Sequence, residues 1–193
     1  WLLPAAALLP ALLPAQKGPG QGDLVKVELE KPVGMHYHLF IPRGADPRGA
    51  HPLVLALHGN GEKALARARN MSRLSTRALP LFVVAPQYQV TPRFEARPRL
   101  HEGWLQACRR VVEQVCARYP VDRSRVLLQG FSMGSNCASR LLWWWHREDP
   151  EGMPFRAFWM SSTCDPGWLR GPAAPRIPYL LFFALVFLLV RVL

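Results

Sequence analysis

Apolar and polar positions change rhythm along the chain, and the changes mark out its elements. "LVKVELE" (24–30) alternates Val25, Val27 and Leu29 with Lys26, Glu28 and Glu30. A period of two predicts a strand with one buried face. "MHYHLFIP" repeats the rhythm through Met35, Tyr37, Leu39 and Ile41, and Pro32-Val33-Gly34 between them predicts the turn of an antiparallel hairpin. Beyond the polar loop "RGADPRGAH" the texture differs. "PLVLALH" (52–58), "LFVVAP" (81–86), "RVLLQ" (125–129) and "FRAFWMS" (155–161) are short and almost continuously apolar, as strands covered on both faces of a parallel sheet are. Helical stretches separate them. Residues 103–119 gather Trp104, Cys108, Val111, Val112, Val115, Cys116 and Tyr119 on one stripe. Residues 62–78 are helix-prone with weaker patterning, and a third helix is expected over 133–147. Together these elements predict an α/β fold: a mainly parallel sheet with helices on both faces, after an N-terminal antiparallel hairpin.

The two ends follow other patterns. "WLLPAAALLPALLPA" (1–15) has the apolar core and small-residue exit of a secretory signal, and Pro4, Pro10 and Pro14 oppose a spanning helix. "QKGPGQGD" (16–23) reads as a Gly-rich linker. The expected organisation is a leader with linker over 1–23 and one domain over 24–193, in a secreted or periplasmic protein. At the other end, Ile177 to Val190 carries no charge before Arg191. That is shorter than the ~20 residues of a membrane helix. It reads as a further buried strand or as the start of a span, so membrane contact through residues 178–193 is the alternative.

Composition narrows the function. Half of the residues are hydrophobic, and the net charge is +11, with arginine supplying 20 of the 24 basic side chains. The arginines are dispersed, without a basic helix, zinc-ligand spacing or an aromatic RNA-binding run, so no nucleic-acid partner is expected. A basic surface would instead favour anionic partners. Cys108, Cys116, Cys137 and Cys164 show no C-x-x-C spacing. They imply no metal and no cofactor, and read as small buried apolar residues; in an exported chain some could pair.

The chemistry enters at "VLLQGFSMGSN" (126–136), an apolar strand that breaks at Gly-Phe-Ser-Met-Gly and runs into a helix. A serine on such a turn is lifted out of the sheet as a nucleophile, with Gly130 and Gly134 lacking the Cβ atoms that would clash. The amide of Met133, at the helix start, then faces the place where an oxyanion forms. Upstream, "LVLALHGNGE" ends a central strand in His58-Gly59-Asn60-Gly61. A glycine-rich turn there supplies the second oxyanion donor, assigned to the Asn60 amide, with Gly59 and Gly61 as turn glycines. His58 reads as a buried residue shaping this turn rather than as the base. Either segment alone could be an ordinary strand–helix connection; in this order they match a nucleophile Ser132 with its oxyanion hole.

The stretch "HPLVLALHGNGE … LFVVAPQ … YPVDRSRVLLQGFSMGS" resembles the α/β-hydrolase superfamily. Within it, the order of an HG-x-G turn, a V-APQ strand and a Y-x-V-D-x-x-R-V … G-x-S-M-G segment is similar to the secreted esterase, polyhydroxyalkanoate-depolymerase and predicted-peptidase group. The phospholipase/carboxylesterase group, with its GFS-x-G elbow, is second. The resemblance spans about residues 35–165. It implies the α/β-hydrolase fold, Ser132 as nucleophile, the Asn60 and Met133 amides as oxyanion hole, and Asp122-Arg125 as a corner leading into the elbow strand. The family's second glycine after the elbow is here Ser135.

In that family the acid and then the histidine follow the serine. After Ser132 the only histidine is His146, within the elbow helix. At ~1.5 Å per residue it lies roughly 20 Å from the serine. "RIPYLLFFALVF" occupies the place of a strand ending in an HG-x-x-D turn and lacks that Asp. Asp165, after the preceding strand, is the remaining acid candidate. The resemblance therefore implies a hydrolase of small-molecule or polymeric carboxylic esters acting through a Ser132 acyl-enzyme, incomplete at its C-terminus and impaired by the missing His and Asp. A non-catalytic binding protein of the same fold and a membrane-anchored protein are the alternatives. Three lesser features complete the reading. One of Trp143–Trp145 must pack inward; Arg93, Arg97 or Arg99 in the basic loop 91–104 could meet an anionic substrate; and Asn70-Met71-Ser72 is a glycosylation sequon.

Overall fold

The structure is a computed structural model, and it describes residues 16–17, 22–29, 35–88, 99–161 and 179–182. The strands are β1 (Gln16–Lys17), β2 (Gly22–Glu28), β3 (His36–Pro42), β4 (His51–Leu57), β5 (Phe82–Pro86), β6 (Val121–Phe131), β7 (Phe155–Ser161) and β8 (Tyr179–Phe182). The helices are α1 (Ala64–Ser72), α2 (Arg99–Arg118) and α3 (Met133–Glu148). All eight strands join one sheet in the order β1-β2-β3-β5-β4-β6-β7-β8. The β1–β2, β2–β3 and β3–β5 pairs are antiparallel, and every pair from β5 onward to β8 is parallel.

This order decides where the helices go. The connection β4–α1–β5 steps one way across the sheet, whereas β5–α2–β6 and β6–α3–β7 step the other way. Right-handed crossovers then place α1 on one face and α2 with α3 on the opposite face. Packing agrees. Leu53, Leu55, Leu57, Val84 and Leu128 join Cys108, Val111, Val115, Cys137 and Leu141 in one core cluster. Val54, Ala56, Val83 and Ala85 join Ala64, Ala68 and Met71 in the other. All seven residues of β4 are buried, which is why its sequence shows no alternation.

Several boundaries and faces differ from the sequence reading. The hairpin strands are not buried on one face only: Leu24 and Phe40 are as buried as Val27 and Leu39, because α1 and its cluster lie over that face. Helix α1 is shorter than expected. Beyond it, Thr76 Oγ1 accepts the Leu79 N–H (3.0 Å) and Ser75 Oγ accepts the Leu81 N–H (3.0 Å), local bonds that compete with helix continuation. Gln16 and Lys17, read as linker, pair with Leu24 and Asp23. Strand β6 starts four residues before the apolar run, at a corner that Asp122 builds by accepting from Ser124 N–H (2.9 Å), Ser124 Oγ (2.6 Å) and Arg125 Nε (2.7 Å). These bonds hold the Asp122 carboxyl down at about 2. Arg125 also donates from Nη2 to the Ala50 carbonyl.

Trp145 packs inward, edge-on to Phe155 with centroids 5.3 Å apart, whereas Trp143 and Trp144 are half-buried. Cys108, Cys116 and Cys137 carry free thiols. Part of the apolar C-terminal run, Tyr179–Phe182, pairs with β7 as a strand. Among the described residues no helix is long and apolar enough to cross a membrane. The leader 1–15, the turn Pro32-Val33-Gly34, the side chains of Arg93, Arg97 and Arg99, Cys164, Asp165 and residues 183–193 lie outside the described residues. On the α1 side, beyond the helix, an apolar groove of about 740 Å³ runs over β6 and β7. Leu127, Ala157 and Trp159 form its floor, and Leu74 and Leu79 stand exposed at its rim.

The α1 face also carries a polar edge. Lys26 sits opposite His38 in register and Glu28 opposite His36, and the two imidazoles meet edge to face at 5.6 Å. Burial first, then His36, Lys26 and Arg69, push His38 down from 6.5 to about 4, Glu28 opposing them. A histidine with a depressed folded pKa takes up its proton more readily when unfolded, so it destabilises the fold as pH falls from about 6.5 towards about 4. The melting temperature is expected to drop over that window. His38→Gln should flatten the drop; an unchanged slope would contradict this placement of His38.

Candidate active site

The elbow is built by strain and close packing. Ser132 is the sole non-glycine residue with positive φ among the described residues (φ 51°, ψ −123°). Such a conformation costs ~1–3 kcal/mol and persists only where the surroundings hold it. Here they do. The Ser132 N–H donates to the Ser161 carbonyl at the end of β7 (2.8 Å), the Ser135 N–H returns to the Ser132 carbonyl (2.8 Å), and Ser135 Oγ donates to the same Ser161 carbonyl (3.2 Å). Ser135 is fully buried and fastens the first turn of α3 to β7. Buried Gln129 donates from Nε2 to Ser161 Oγ (3.4 Å).

The turn after β4 lies against this elbow. A Cβ on Gly59 would stand 3.2 Å from Ser132 Cβ and 3.1 Å from Phe131 Cδ1. A Cβ on Gly134 would meet the Leu57 carbonyl oxygen at 2.3 Å and the His58 carbonyl oxygen at 2.7 Å, and one on Gly130 would meet the Gly134 oxygen at 2.5 Å. The glycines thus let two backbones touch. Gly61 serves otherwise: nothing lies near it, but its φ is 74°, and with the Glu62 N–H donating to the Gly59 carbonyl (3.3 Å) it takes the left-handed position of a β-turn. Asn60 stands exposed at the corner of that turn. Met133 is the first residue of α3, so its N–H has no acceptor within the helix.

His58 is buried and bonded at both nitrogens. Nδ1 lies 2.8 Å from the Gly59 carbonyl, which requires the proton there, and Nε2 faces the Tyr88 N–H (3.4 Å) and Gln87 Nε2 (3.3 Å). Tyr88 stacks on the ring at 4.1 Å and donates its hydroxyl to the His58 carbonyl (2.5 Å). Burial holds the imidazole below its usual pKa, against the opposing pull of the Gly59 carbonyl and Glu62, so it stays neutral. Gln87 turns its Oε1 to the Ala64 N–H at the start of α1 (2.9 Å). The expectation of His58 as a residue shaping the turn matches this geometry.

Sequence reasoning missed the residues that brace the turn. Glu62 Oε2 accepts from the Gly59 N–H (3.1 Å) and from Arg67 Nε (3.2 Å) and Nη2 (2.7 Å). The Arg67 guanidinium lies 4.4 Å from the centroid of the Phe131 ring. Glu62 and Gln87 stand in the segments "HGNGE" and "VVAPQ", where only a strand and turn were read. The acid candidate Asp165 lies outside the described residues, and His146 lies in the last turn of α3. Among the described residues no cluster of His, Cys, Asp and Glu could hold a metal ion.

This sheet order, with a strained serine between a parallel strand and a helix, is the α/β-hydrolase fold, and the chain has it. Neither a family model nor a curated protein matches the sequence. Solved structures share the fold. A thermostable esterase aligns with a TM-score of 0.56 at 23% identity, over 82% of this chain and 45% of its own. A bacterial heroin esterase aligns with a TM-score of 0.57 at 18% identity, over 73% and 44%. The fluorophosphonate-binding serine hydrolase FphF of Staphylococcus aureus aligns with a TM-score of 0.55 at 15% identity, over 74% and 58%. The chain spans about half the length of these structures.

The packing of Gly134 yields a direct test. Gly134→Ala is expected to cost about 1–3 kcal/mol, because the Leu57 carbonyl cannot yield without moving β4. Denaturant melts measure it; wild-type stability would refute the close approach.

Proposed function

We propose that the protein is a serine hydrolase of carboxylic esters in which Ser132 is the nucleophile. The observation that carries this reading is the strained φ of Ser132 held directly against the Gly59 turn, an arrangement with a conformational cost. The fold's solved neighbours, esterases and serine hydrolases among them, support the substrate class. Ser132 Oγ bonds to the ester carbonyl carbon as its proton passes to a base from solvent, which later returns it to the leaving alcohol, and charge gathers on the carbonyl oxygen, where the Asn60 and Met133 amides stabilise it. The ester C–O bond then breaks, the alcohol leaves with a proton, and water hydrolyses the acyl-enzyme. Small-molecule esters are the proposed substrates.

The proton acceptor is the weak link. His58 turns its accepting nitrogen to the Tyr88 N–H and Gln87, His36 and His38 lie in β3, separated from β6 by β5 and β4, His51 opens β4 at the far end of the strand from the turn, and His146 lies in the last turn of α3. Among the described residues no histidine is hydrogen-bonded to the Ser132 hydroxyl. These residues alone should therefore react slowly, several orders of magnitude below a full triad. A fluorophosphonate should label the chain slowly, free imidazole should speed that labelling, and Ser132→Ala should abolish it. Equal labelling of Ser132→Ala would overturn the nucleophile, and fast labelling without imidazole would overturn the missing base.

A further inference from the structure

The buried ion pair of Glu62 and Arg67 sits beside the proposed nucleophile without touching it. Both partners lie mostly out of water, their side chains 17% and 9% exposed. A pair so placed forfeits hydration that its attraction barely recovers, and apolar residues of similar volume would hold the fold as well. What apolar residues could not do is bond the Gly59 amide. The same carboxylate oxygen that binds Arg67 accepts the Gly59 N–H, one residue before the proposed oxyanion donor Asn60. The same guanidinium covers the ring of Phe131, one residue before Ser132. Gly59 in turn packs on Phe131 and Ser132.

We infer that Glu62 and Arg67 are positioning residues that lock the oxyanion turn to the nucleophile elbow, fixing the distance between the Asn60 amide and Ser132 Oγ. This rests on the reading of Ser132 as nucleophile. Arg67 belongs to α1 and Phe131 to β6, so the pair joins both loops to one helix. Arg67 can hold both ends because its planar fork bonds the carboxylate at its edge while its face lies on the ring. A lysine would keep the charge and lose the fork and the stacking. The turn would then keep its Gly61 bend but gain freedom to slide against Ser132. Displacement by ~1 Å in such a site costs up to ~100-fold in rate.

The test uses the full chain with free imidazole present and measures fluorophosphonate labelling against probe concentration. Glu62→Gln and Arg67→Lys should each lower the maximal labelling rate about 10-fold or more, at an unchanged half-saturating concentration, with labelling measured well below each variant's melting temperature, which Glu62→Gln lowers by leaving the Arg67 charge unpaired. Glu62→Gln should also move the Gly59 amide proton upfield in the NMR spectrum, because its charged acceptor is lost. Wild-type maximal rates in both variants would overturn the inference, as would an unmoved Gly59 resonance. Failure of the Ser132 reading shows separately, as label that persists in Ser132→Ala.

Discussion

Two stretches of backbone meet at the end of the sheet with no room for a side chain between them. The Leu57 and His58 carbonyls sit where a Cβ of Gly134 would be, and Gly59 lies against Ser132. The proposed chemistry depends on that approach. It brings the first residue of α3 beside the turn after β4, the two segments that carry the proposed oxyanion donors. It is possible only because β4 and β6 are neighbours in parallel register, Leu57 opposite Gly130, which delivers both loops to the same edge at the same height. The parallel core is thus the ruler of the site, and its buried, unalternating strands are what that ruler requires.

Around this contact the protein spends polar groups where an ordinary loop would have water. His58, Gln87 and Tyr88 tie the turn to the end of β5, and Gln87 reaches the first amide of α1. Glu62 and Arg67 tie it to α1 and to Phe131. Ser161 ties the elbow to β7. The turn and the elbow are each fixed to rigid elements, which is how donors are aimed before a charge appears. An imidazole whose two nitrogens are both held by the turn and by β5's end suits such a frame.

Much of this was legible in the residues. Continuous apolar runs separated by helical stretches identified the parallel core, and the glycine spacing of "GFSMG" and "HGNG" identified the elbow and turn, because backbone contact leaves glycine little alternative. What could not be read was any feature set by faces. The hairpin looked half-buried because its polar-facing positions were judged by Lys26, Glu28, His36 and His38, and nothing local to Leu24 or Phe40 signals that α1 will cover them. Glu62 and Arg67 lie in a stretch, 62–78, that the pattern marks only as helix-prone. Their roles depend on Phe131, more than sixty residues away in sequence, and charged side chains are normally expected in solvent. The start of β6 was missed because Asp122, Arg123, Ser124 and Arg125 carry no apolar run; hydrogen bonds rather than burial shape that corner.

The central claim is geometric: one carbonyl oxygen on an acyl group at Ser132 can be reached by amides from both loops. A crystal structure of the chain treated with a boronic acid tests it most directly, since boron on Ser132 Oγ carries an oxygen where the oxyanion would sit. The account predicts a tetrahedral adduct on Ser132 with that oxygen ~2.7–3.1 Å from the Asn60 and Met133 nitrogens. An adduct whose oxygens all point to solvent, or no adduct at Ser132, would contradict it.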